Sequence, residues 1–340
     1  MQMNNVNQNK STNLLVILGP TASGKSDLAV ELAKWIYDAA KSEKPISGYK
    51  GAEIISADSR QVYKGLDIGT GKITVKEMRG IPHHLLDIAD PHIRFTALDW
   101  KQAAEKAITE IVSRGNLPII CGGTGFYISS LIDDLGFPDV PADTNAQKEL
   151  ELKSAEELFE ELKKLDPKRA STIDMKNKRR LARAIVIART LGKVPPLIAN
   201  DSGRNGLKEN NKYRVLEIGI NWQDDVLRER IRTRLIKRLE VPNHNGMNMI
   251  QEVETLHAPK PDGADISYER LEELGLEYKY LAEFLQMKID KPTLIEVLSA
   301  KIWQYSRRQK TWWKRDSRIH WHKPNEMNMI ELDILDFLCI

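Results

Sequence analysis

The sequence predicts an α/β protein in which helices flank a parallel sheet, and three observations predict it. Short, largely apolar runs typical of buried parallel strands lie at Leu14–Leu18, Glu53–Ala57 and Leu117–Cys121. Glycine-rich or small polar turns follow these runs. Helical periodicity begins at Lys25, after the first run, and covers Ala97–Arg114 before the third. Strands that alternate with helices favour a doubly wound sheet, which binds ligands at its carboxyl edge.

The strand pattern stops at a proline-marked connector, 137–143, and returns at Tyr213–Ile220. Between them, Ser154 and Glu157 form a capping-box pattern, and an amphipathic helix is expected over Asn177–Leu191. The sequence therefore predicts an all-helical insertion within one sheet domain. The expected divisions are a disordered lead-in at 1–13, a core at 14–136 and 213–323, the insertion at 137–212 and a C-terminal tail at 324–340.

Composition excludes several classes of protein. The 340 residues include 51 Lys and Arg against 48 Asp and Glu, a net charge of +3. Two cysteines, Cys121 and Cys339, are too few for a disulfide framework or a zinc site of four thiolates. No apolar run approaches the ~20 residues of a membrane helix, and the N-terminus lacks the apolar centre of a secretory signal. We therefore expect a cytoplasmic protein without membrane association.

The positive charge is concentrated in two basic blocks, 166–193 and 301–323. Each carries a local charge of +7, so the remaining chain sums to −11. The second block also contains four of the seven tryptophans. Basic residues interleaved with aromatic rings suit the phosphates and exposed bases of RNA, although a solvated helix face explains either block alone equally well.

Gly19–Ser26 reads GPTASGKS, the G-x4-G-K-S pattern of a P-loop, and it lies between an expected strand and an expected helix. In this context, backbone N–H groups and the helix N-terminus wrap a phosphate. Lys25 neutralises phosphate oxygens, and the Ser26 hydroxyl is placed to ligate Mg²⁺. The motif narrows the fold to a P-loop NTPase-like sheet and predicts binding of a diphosphate or a triphosphate such as ATP.

Asp58 follows the second expected strand, and the residue type leaves three roles open. It is a candidate metal ligand, a candidate general base for an incoming nucleophile, and a candidate helix N-cap. The run that it begins, DSRQVY, holds more polar groups than a metal ligand needs. Elsewhere, the adjacent His83 and His84 favour hydrogen-bonding roles, and Cys121 favours a place in the core.

Five segments resemble the bacterial tRNA isopentenyltransferase family, in the order that the family has them. They are GPTASGKS, ISADSRQVYKGLDIGTGK (55–72), PHHLLDI (82–88), GGTGFY (122–127) and YSRRQKTWWKR (305–315). The resemblance covers roughly residues 14–323. It implies transfer of a dimethylallyl group from dimethylallyl diphosphate to N6 of the adenine 3′ of the anticodon in tRNA, with release of pyrophosphate.

The resemblance also implies the residues of the site. Asp58 is the implied general base, and Thr21 assists it. The implied diphosphate ligands are Gly19, Pro20, Thr21, Ala22, Ser23, Gly24, Lys25, Ser26 and Arg230. The implied tRNA contacts are Asp58, Ser59, Arg60, Gln61, Thr124, Arg179, Arg180 and Arg183, and the second basic block adds Arg308. With Mg²⁺ at Ser26 as the cofactor, we expect a monomer that binds the tRNA anticodon stem-loop and dimethylallyl diphosphate.

The chain departs from the family pattern at Gly71–Ile73, at 241–261 and at 274–278. Three rival functions remain distinguishable. A relative that prenylates AMP or ATP would need neither the insertion nor the C-terminal basic segment. A P-loop kinase would use Asp58 for Mg²⁺ or substrate activation, with the arginines of 179–183 in a lid. A non-catalytic RNA-binding P-loop protein would not need the intact Lys25 and Asp58.

Overall fold

The structure is a computed structural model that describes residues 11–41, 48–141, 144–196, 208–209, 212–261 and 263–338. It divides into two compact units. The larger comprises Met1–Asp134 and Asp201–Ile340, and the smaller comprises Leu135–Asn200. The first ten residues of the predicted lead-in lie outside the described residues.

The larger unit is built on a twisted sheet in the spatial order β3-β2-β4-β1-β6-β5, and β7 also pairs with β6. All pairings are parallel except that of β5. This confirms the predicted α/β class. The strands are β1 (Thr12–Leu18), β2 (Ala52–Ala57), β3 (His83–His84), β4 (Leu117–Gly122), β5 (Lys208–Glu209), β6 (Tyr213–Ile220) and β7 (His320–His322).

Helices cover both faces of the sheet, as the doubly wound prediction requires. In the larger unit they are α1 (Lys25–Ala40), α2 (Val75–Met78), α3 (Ala97–Ser113), α4 (Gly125–Ile132), α9 (Asp224–Glu240), α10 (Met249–His257), α11 (Tyr268–Leu274), α12 (Leu276–Leu285), α13 (Lys291–Trp313) and α14 (Met327–Leu338). The smaller unit contains α5 (Thr144–Glu151), α6 (Ala155–Leu165), α7 (Pro167–Ala170) and α8 (Lys178–Leu191).

The central strand β1 supplies both cores because successive side chains point to opposite faces. Leu14 and Leu18 join one core with residues of α3, α4 and α9 to α13. Leu15 and Ile17 join the other with residues of α1 and α14. A strand buried on both faces has no polar side, which explains why its sequence reads as an unbroken apolar run.

The smaller unit has its own apolar core, to which Leu158, Leu162, Leu181 and Ile185 contribute. The Ser154 hydroxyl accepts a hydrogen bond from the Glu157 N–H, and the reciprocal bond is also made, so the predicted capping box is present at α6. The unit is helical in the residues that the structure describes. The unit spans Leu135–Asn200, whereas the insertion was predicted from the sequence at 137–212.

Two terminal boundaries need correction. Strand β1 begins at Thr12, inside the predicted lead-in of 1–13, because Thr12 and Asn13 already pair with β6. The predicted tail of 324–340 contains α14, whose Ile330 and Ile334 are fully buried against the sheet. The tail prediction was wrong for this helix, because its apolar residues cover a sheet face that α1 alone leaves exposed.

The adjacent histidines have the hydrogen-bonding roles that their sequence favoured. His83 Nδ1 lies 2.8 Å from the Ile81 carbonyl, and His84 Nε2 lies 2.7 Å from buried Glu53. Although burial alone would raise it, hydrogen bonds from Arg114, Asn116 and His84 lower the pKa of Glu53 to about 2. Among the described helices, none is long and apolar enough to cross a bilayer.

Gly122 is the last residue of β4, where the strand pairs with Ala57 of β2. A substitution at Gly122 therefore tests how closely β2 and β4 pack. A Cβ on Gly122 would lie 2.2 Å from the Ala57 carbonyl oxygen, which the sheet holds in place. We expect Gly122→Ala to lower the free energy of unfolding by about 1–3 kcal/mol in chemical denaturation. Gly136→Ala is the control, since no atom lies within 4 Å of its added methyl group. Equal stability of the two variants would contradict the expectation.

Candidate active site

The P-loop connects the carboxyl end of β1 to α1, as its motif predicts. Ala22 and Gly24 adopt positive φ angles of 62° and 90°, so the chain curls tightly before the helix begins at Lys25. The Ser23 N–H donates to the Pro20 carbonyl, and Lys25 Nζ lies 3.5 Å from the same oxygen. This curl, at the N-terminus of a sixteen-residue helix, is the geometry that binds phosphate.

A cavity of about 780 Å³ opens above the P-loop. It brings together Thr21–Ser26, Asp58, Gln61 and Arg230, which come from the ends of β1 and β2 and from α9. Gly19 and Pro20 form the stem of the P-loop beneath it. The remaining lining residues are Asp27, Thr70, Gly71, Ile73, Glu77, Cys121, Gly122, Asp225, Val226, Glu229, Thr233, Arg234 and Lys237.

Lys25 is the cation at the base of this cavity. Burial lowers the pKa of Lys25, and nearby Arg234 lowers it further, whereas Cys121 and Asp58 act in the opposite direction. Burial raises the pKa of the Cys121 thiol to about 11, which keeps it protonated near neutral pH and agrees with a core role. A desolvated cation at a helix N-terminus favours a polyanionic ligand.

Arg230 is held beside the P-loop although its side chain is exposed. Its Nε donates to the Ala22 carbonyl at 2.9 Å, and its guanidinium lies 4.5 Å from the centroid of the Trp222 ring. The Trp222 indole in turn donates to the Ser23 carbonyl at 2.8 Å. Arg230 is therefore held beside the P-loop by one contact with the loop itself and one with Trp222, which follows β6.

Asp58 follows β2. In the sheet, only β4 lies between β2 and β1, the strand that leads into the P-loop. Its Oδ1 accepts hydrogen bonds from the N–H groups of Arg60, at 2.8 Å, and Gln61, at 3.3 Å. The Ser59 N–H donates to the Thr124 hydroxyl at 3.1 Å. Hydrogen bonds within residues 58–61 and to the loop after β4 therefore fix this turn, and the carboxylate of Asp58 lines the cavity.

Gln309 is a functional candidate that sequence reasoning missed. Its Oε1 accepts from the Thr21 N–H at 2.9 Å, and its Nε2 donates to the Gly123 carbonyl at 2.8 Å. One buried amide on α13 therefore joins the P-loop to the loop after β4. Gln309 lies within the motif YSRRQKTWWKR, but its partner Thr21 is 288 positions away, and no local pattern indicates the contact.

Sequence reasoning did not predict two further arginines of α9 as site residues: Arg234, which lines the cavity, and Arg238, which lies beside it. Arg234 and Arg238 pack against Gly71, where an added Cβ would lie 2.2 Å and 1.4 Å from their Nη2 atoms. Burial and the charge of Arg234 lower the pKa of Arg238 to about 9. The positive φ angle of Gly71, 62°, favours glycine at this position.

Comparison with known proteins matches residues 61–316 to the family described as IPP transferase. A tRNA dimethylallyltransferase 1 of Geotalea uraniireducens is 40% identical over 92% of each chain. The chain belongs to the IPP transferase family. This confirms the resemblance predicted from its motifs. The P-loop and Asp58 lie before the matched residues.

Two solved structures of the family have the same architecture. The tRNA isopentenylpyrophosphate transferase of Bacillus halodurans aligns with a TM-score of 0.64 at 31% identity, over 97% of this chain and 96% of that one. The corresponding transferase of Staphylococcus epidermidis aligns with a TM-score of 0.63 at 34% identity, over 96% and 99%. The P-loop NTPase-like fold predicted from the sequence is therefore the fold of this IPP transferase.

The basic residues predicted to contact RNA differ in their surroundings. Arg308, on α13, is exposed, and so are Arg179 and Arg180 at the start of α8 in the smaller unit. Arg183 is partly buried and donates to the Val140 and Pro141 carbonyls at 2.6 and 2.9 Å. The family resemblance implied tRNA contacts for both Arg179 and Arg183, whereas of these two only Arg179 is solvent-exposed.

The cavity of this IPP transferase contains oxygen donors suited to Mg²⁺. The described residues contain no cluster of three His, Cys, Asp or Glu side chains that could hold a metal ion. Ser26 and Asp58 nevertheless present oxygen donors to the same cavity. Mg²⁺ takes few protein ligands and completes its shell with water and substrate phosphates, so this donor set fits it.

Gln309→Ala tests the support of the P-loop. The change leaves the Thr21 N–H and the Gly123 carbonyl without their buried partner, so we expect about tenfold weaker binding of pyrophosphate by isothermal titration calorimetry. Gln304→Ala, at an exposed position of α13, is the control. Unchanged affinity in Gln309→Ala would show that the P-loop holds its shape without the amide.

Proposed function

We propose that this protein transfers the dimethylallyl group of dimethylallyl diphosphate to N6 of the adenine 3′ of the anticodon in tRNA, releasing pyrophosphate. One observation carries the proposal: the P-loop and the Asp58 carboxylate line the same cavity, so a diphosphate and a proton acceptor meet there. The tRNA dimethylallyltransferases among its relatives support the choice of substrates.

The leaving group is stabilised where its charge develops. As the allylic C–O bond breaks, negative charge collects on pyrophosphate and positive charge on the allyl carbon. Lys25 and Arg230 lie beside the P-loop before the substrate binds, so these cations and the helix N-terminus at Lys25 stabilise this charge without large reorganisation. Mg²⁺ bound by the Ser26 hydroxyl would neutralise further phosphate charge.

The nucleophile needs help because the lone pair of N6 is delocalised into the adenine ring. As N6 forms its bond to the allyl carbon, one N6 proton passes to the Asp58 carboxylate. Hydrogen bonds from the backbone of Arg60 and Gln61 keep this carboxylate in place, and the Thr21 hydroxyl lines the same cavity. An adenine stacked in an anticodon loop cannot reach this depth, so it must be flipped out.

Binding of the tRNA is assigned to the exposed cations and to the turn around Asp58. We assign Ser59, Arg60, Gln61 and Thr124 to contacts with the adenine, and the exposed Arg308, Arg179 and Arg180 to the tRNA phosphates. Arg183 supports α8 through its backbone contacts. A tRNA acceptor makes the cytoplasm the site of the reaction. We propose that the protein acts as a monomer.

The reaction is tested with labelled dimethylallyl diphosphate and unmodified tRNA, followed by nucleoside analysis for N6-prenylated adenosine. Asp58→Asn should lower the transfer rate at least a hundredfold, the order of a general base, while diphosphate binding stays within about threefold. Asp38→Asn, at an exposed position of α1, is the control. Consumption of ATP without prenylated RNA would favour a kinase, and a wild-type rate in Asp58→Asn would remove its role as the base.

The smaller unit is tested by its salt dependence. Arg179→Ala with Arg180→Ala should weaken tRNA binding and flatten the dependence of its affinity on salt, since each lost phosphate contact lowers the slope by about one. Lys163→Ala with Lys164→Ala removes the same charge from exposed positions of α6 and is the matched control. If both double variants lose affinity equally, only general charge matters and the assignment of α8 fails.

A further inference from the structure

Glu252 lies on α10, away from the cavity lining, and is 5% exposed. Its carboxylate accepts hydrogen bonds from the N–H groups of Asp67 (3.0 Å), Ile68 (2.5 Å) and Gly69 (3.0 Å). A fourth comes from the Tyr278 hydroxyl at 2.9 Å. Three consecutive N–H groups that converge on one point form an anion-binding nest. Here the bound anion is a carboxylate of the same chain, more than 180 positions away.

The turn that forms this nest is confined on its other sides as well. A Cβ on Gly69 would lie 2.7 Å from the ring of Tyr278, which is itself buried. The Arg238 guanidinium donates to the Gly69 carbonyl at 3.4 Å. Burial raises the pKa of Glu252, and the backbone N–H groups act in the opposite direction because they stabilise its charge. These contacts fix the Asp67–Gly69 turn in one conformation as long as the Glu252 carboxylate is bound to it.

The nest leads directly to the active site. Thr70, Gly71 and Ile73, which follow the turn, line the cavity. The Gly71 carbonyl accepts from Gln61 Nε2 at 3.3 Å, and the Gln61 N–H donates to Asp58 Oδ1 at 3.3 Å. A displacement of the turn would therefore move both the cavity wall and the group that orients the general base.

We propose that Glu252 is a positioning residue for the acceptor side of the site, an inference that rests on the proposed prenyl transfer. Its carboxylate fixes the Asp67–Gly69 turn, and the turn fixes the wall and Gln61. The diphosphate side has separate supports, Gln309 and Arg230, so loss of Glu252 affects the transfer step and leaves diphosphate binding intact. The sequence pattern around Glu252 did not predict this role.

Glu252→Gln tests the proposal because the glutamine amide presents an NH2 group where the nest requires an acceptor. We expect the amides of residues 67–69 to exchange with deuterium at least tenfold faster. We expect kcat for tRNA prenylation to fall about tenfold, since small displacements at a reacting centre are costly. The Kd for dimethylallyl diphosphate should stay within twofold. Val253→Ala, the adjacent fully buried residue of α10, is the control. It should lower the unfolding temperature without changing amide exchange or kcat.

Each other outcome overturns a part of the proposal. If the amides of residues 67–69 exchange with deuterium at the wild-type rate in Glu252→Gln, the carboxylate does not hold the turn, and this conclusion does not depend on the activity. Faster exchange with a wild-type kcat, or a fall in kcat that Val253→Ala reproduces, removes the link to the site. If Glu252→Gln does not fold, Tyr278→Phe removes one of the four donors, and exchange about threefold faster with a lower kcat is expected. A wild-type protein that makes no prenylated tRNA contradicts the proposed function instead, and the exchange measurement still decides the nest.

Discussion

Four parallel strands, in the order β2, β4, β1 and β6, end at the same edge of the sheet, and the functional loops of the larger unit follow from that pairing. Adjacent strands lie about 4.8 Å apart, so the loops after β1 and β2 are about 10 Å apart across β4. That distance suits a site with a diphosphate on one side and a proton acceptor on the other. Antiparallel pairing of any of these strands would send one loop to the opposite edge.

Strand pairing alone does not fix the loops, and later parts of the chain hold them. Gln309 on α13 joins the P-loop to the loop after β4, and Trp222 and Arg230 bind the P-loop carbonyls. Glu252 on α10 holds the turn that precedes the cavity wall. The C-terminal half therefore acts as a scaffold for chemistry carried largely by the first 130 residues, since Arg230 alone among the predicted diphosphate and base residues comes from it.

The sequence was sufficient for features determined by neighbouring residues. The apolar run of β1, the P-loop between strand and helix, and the capping box at Ser154 depend on local pattern, and each is present. Contacts between distant segments left no such pattern. The family resemblance implied tRNA contacts for both Arg179 and Arg183, but the carbonyls that bind Arg183 belong to a connector with no regular structure. The burial of α14 likewise depends on which sheet face remains uncovered, and a linear pattern does not contain that information.

The buried ammonium of Lys25 has a consequence for the end of the reaction cycle. It loses hydration in the cavity, so a bound phosphate group restores part of the stabilisation that water supplied. In the proposed reaction, pyrophosphate keeps the contacts that the phosphates of dimethylallyl diphosphate made and carries one more negative charge, although it loses the contacts of the prenyl group. The charges that promote bond cleavage therefore also oppose the departure of pyrophosphate from the site.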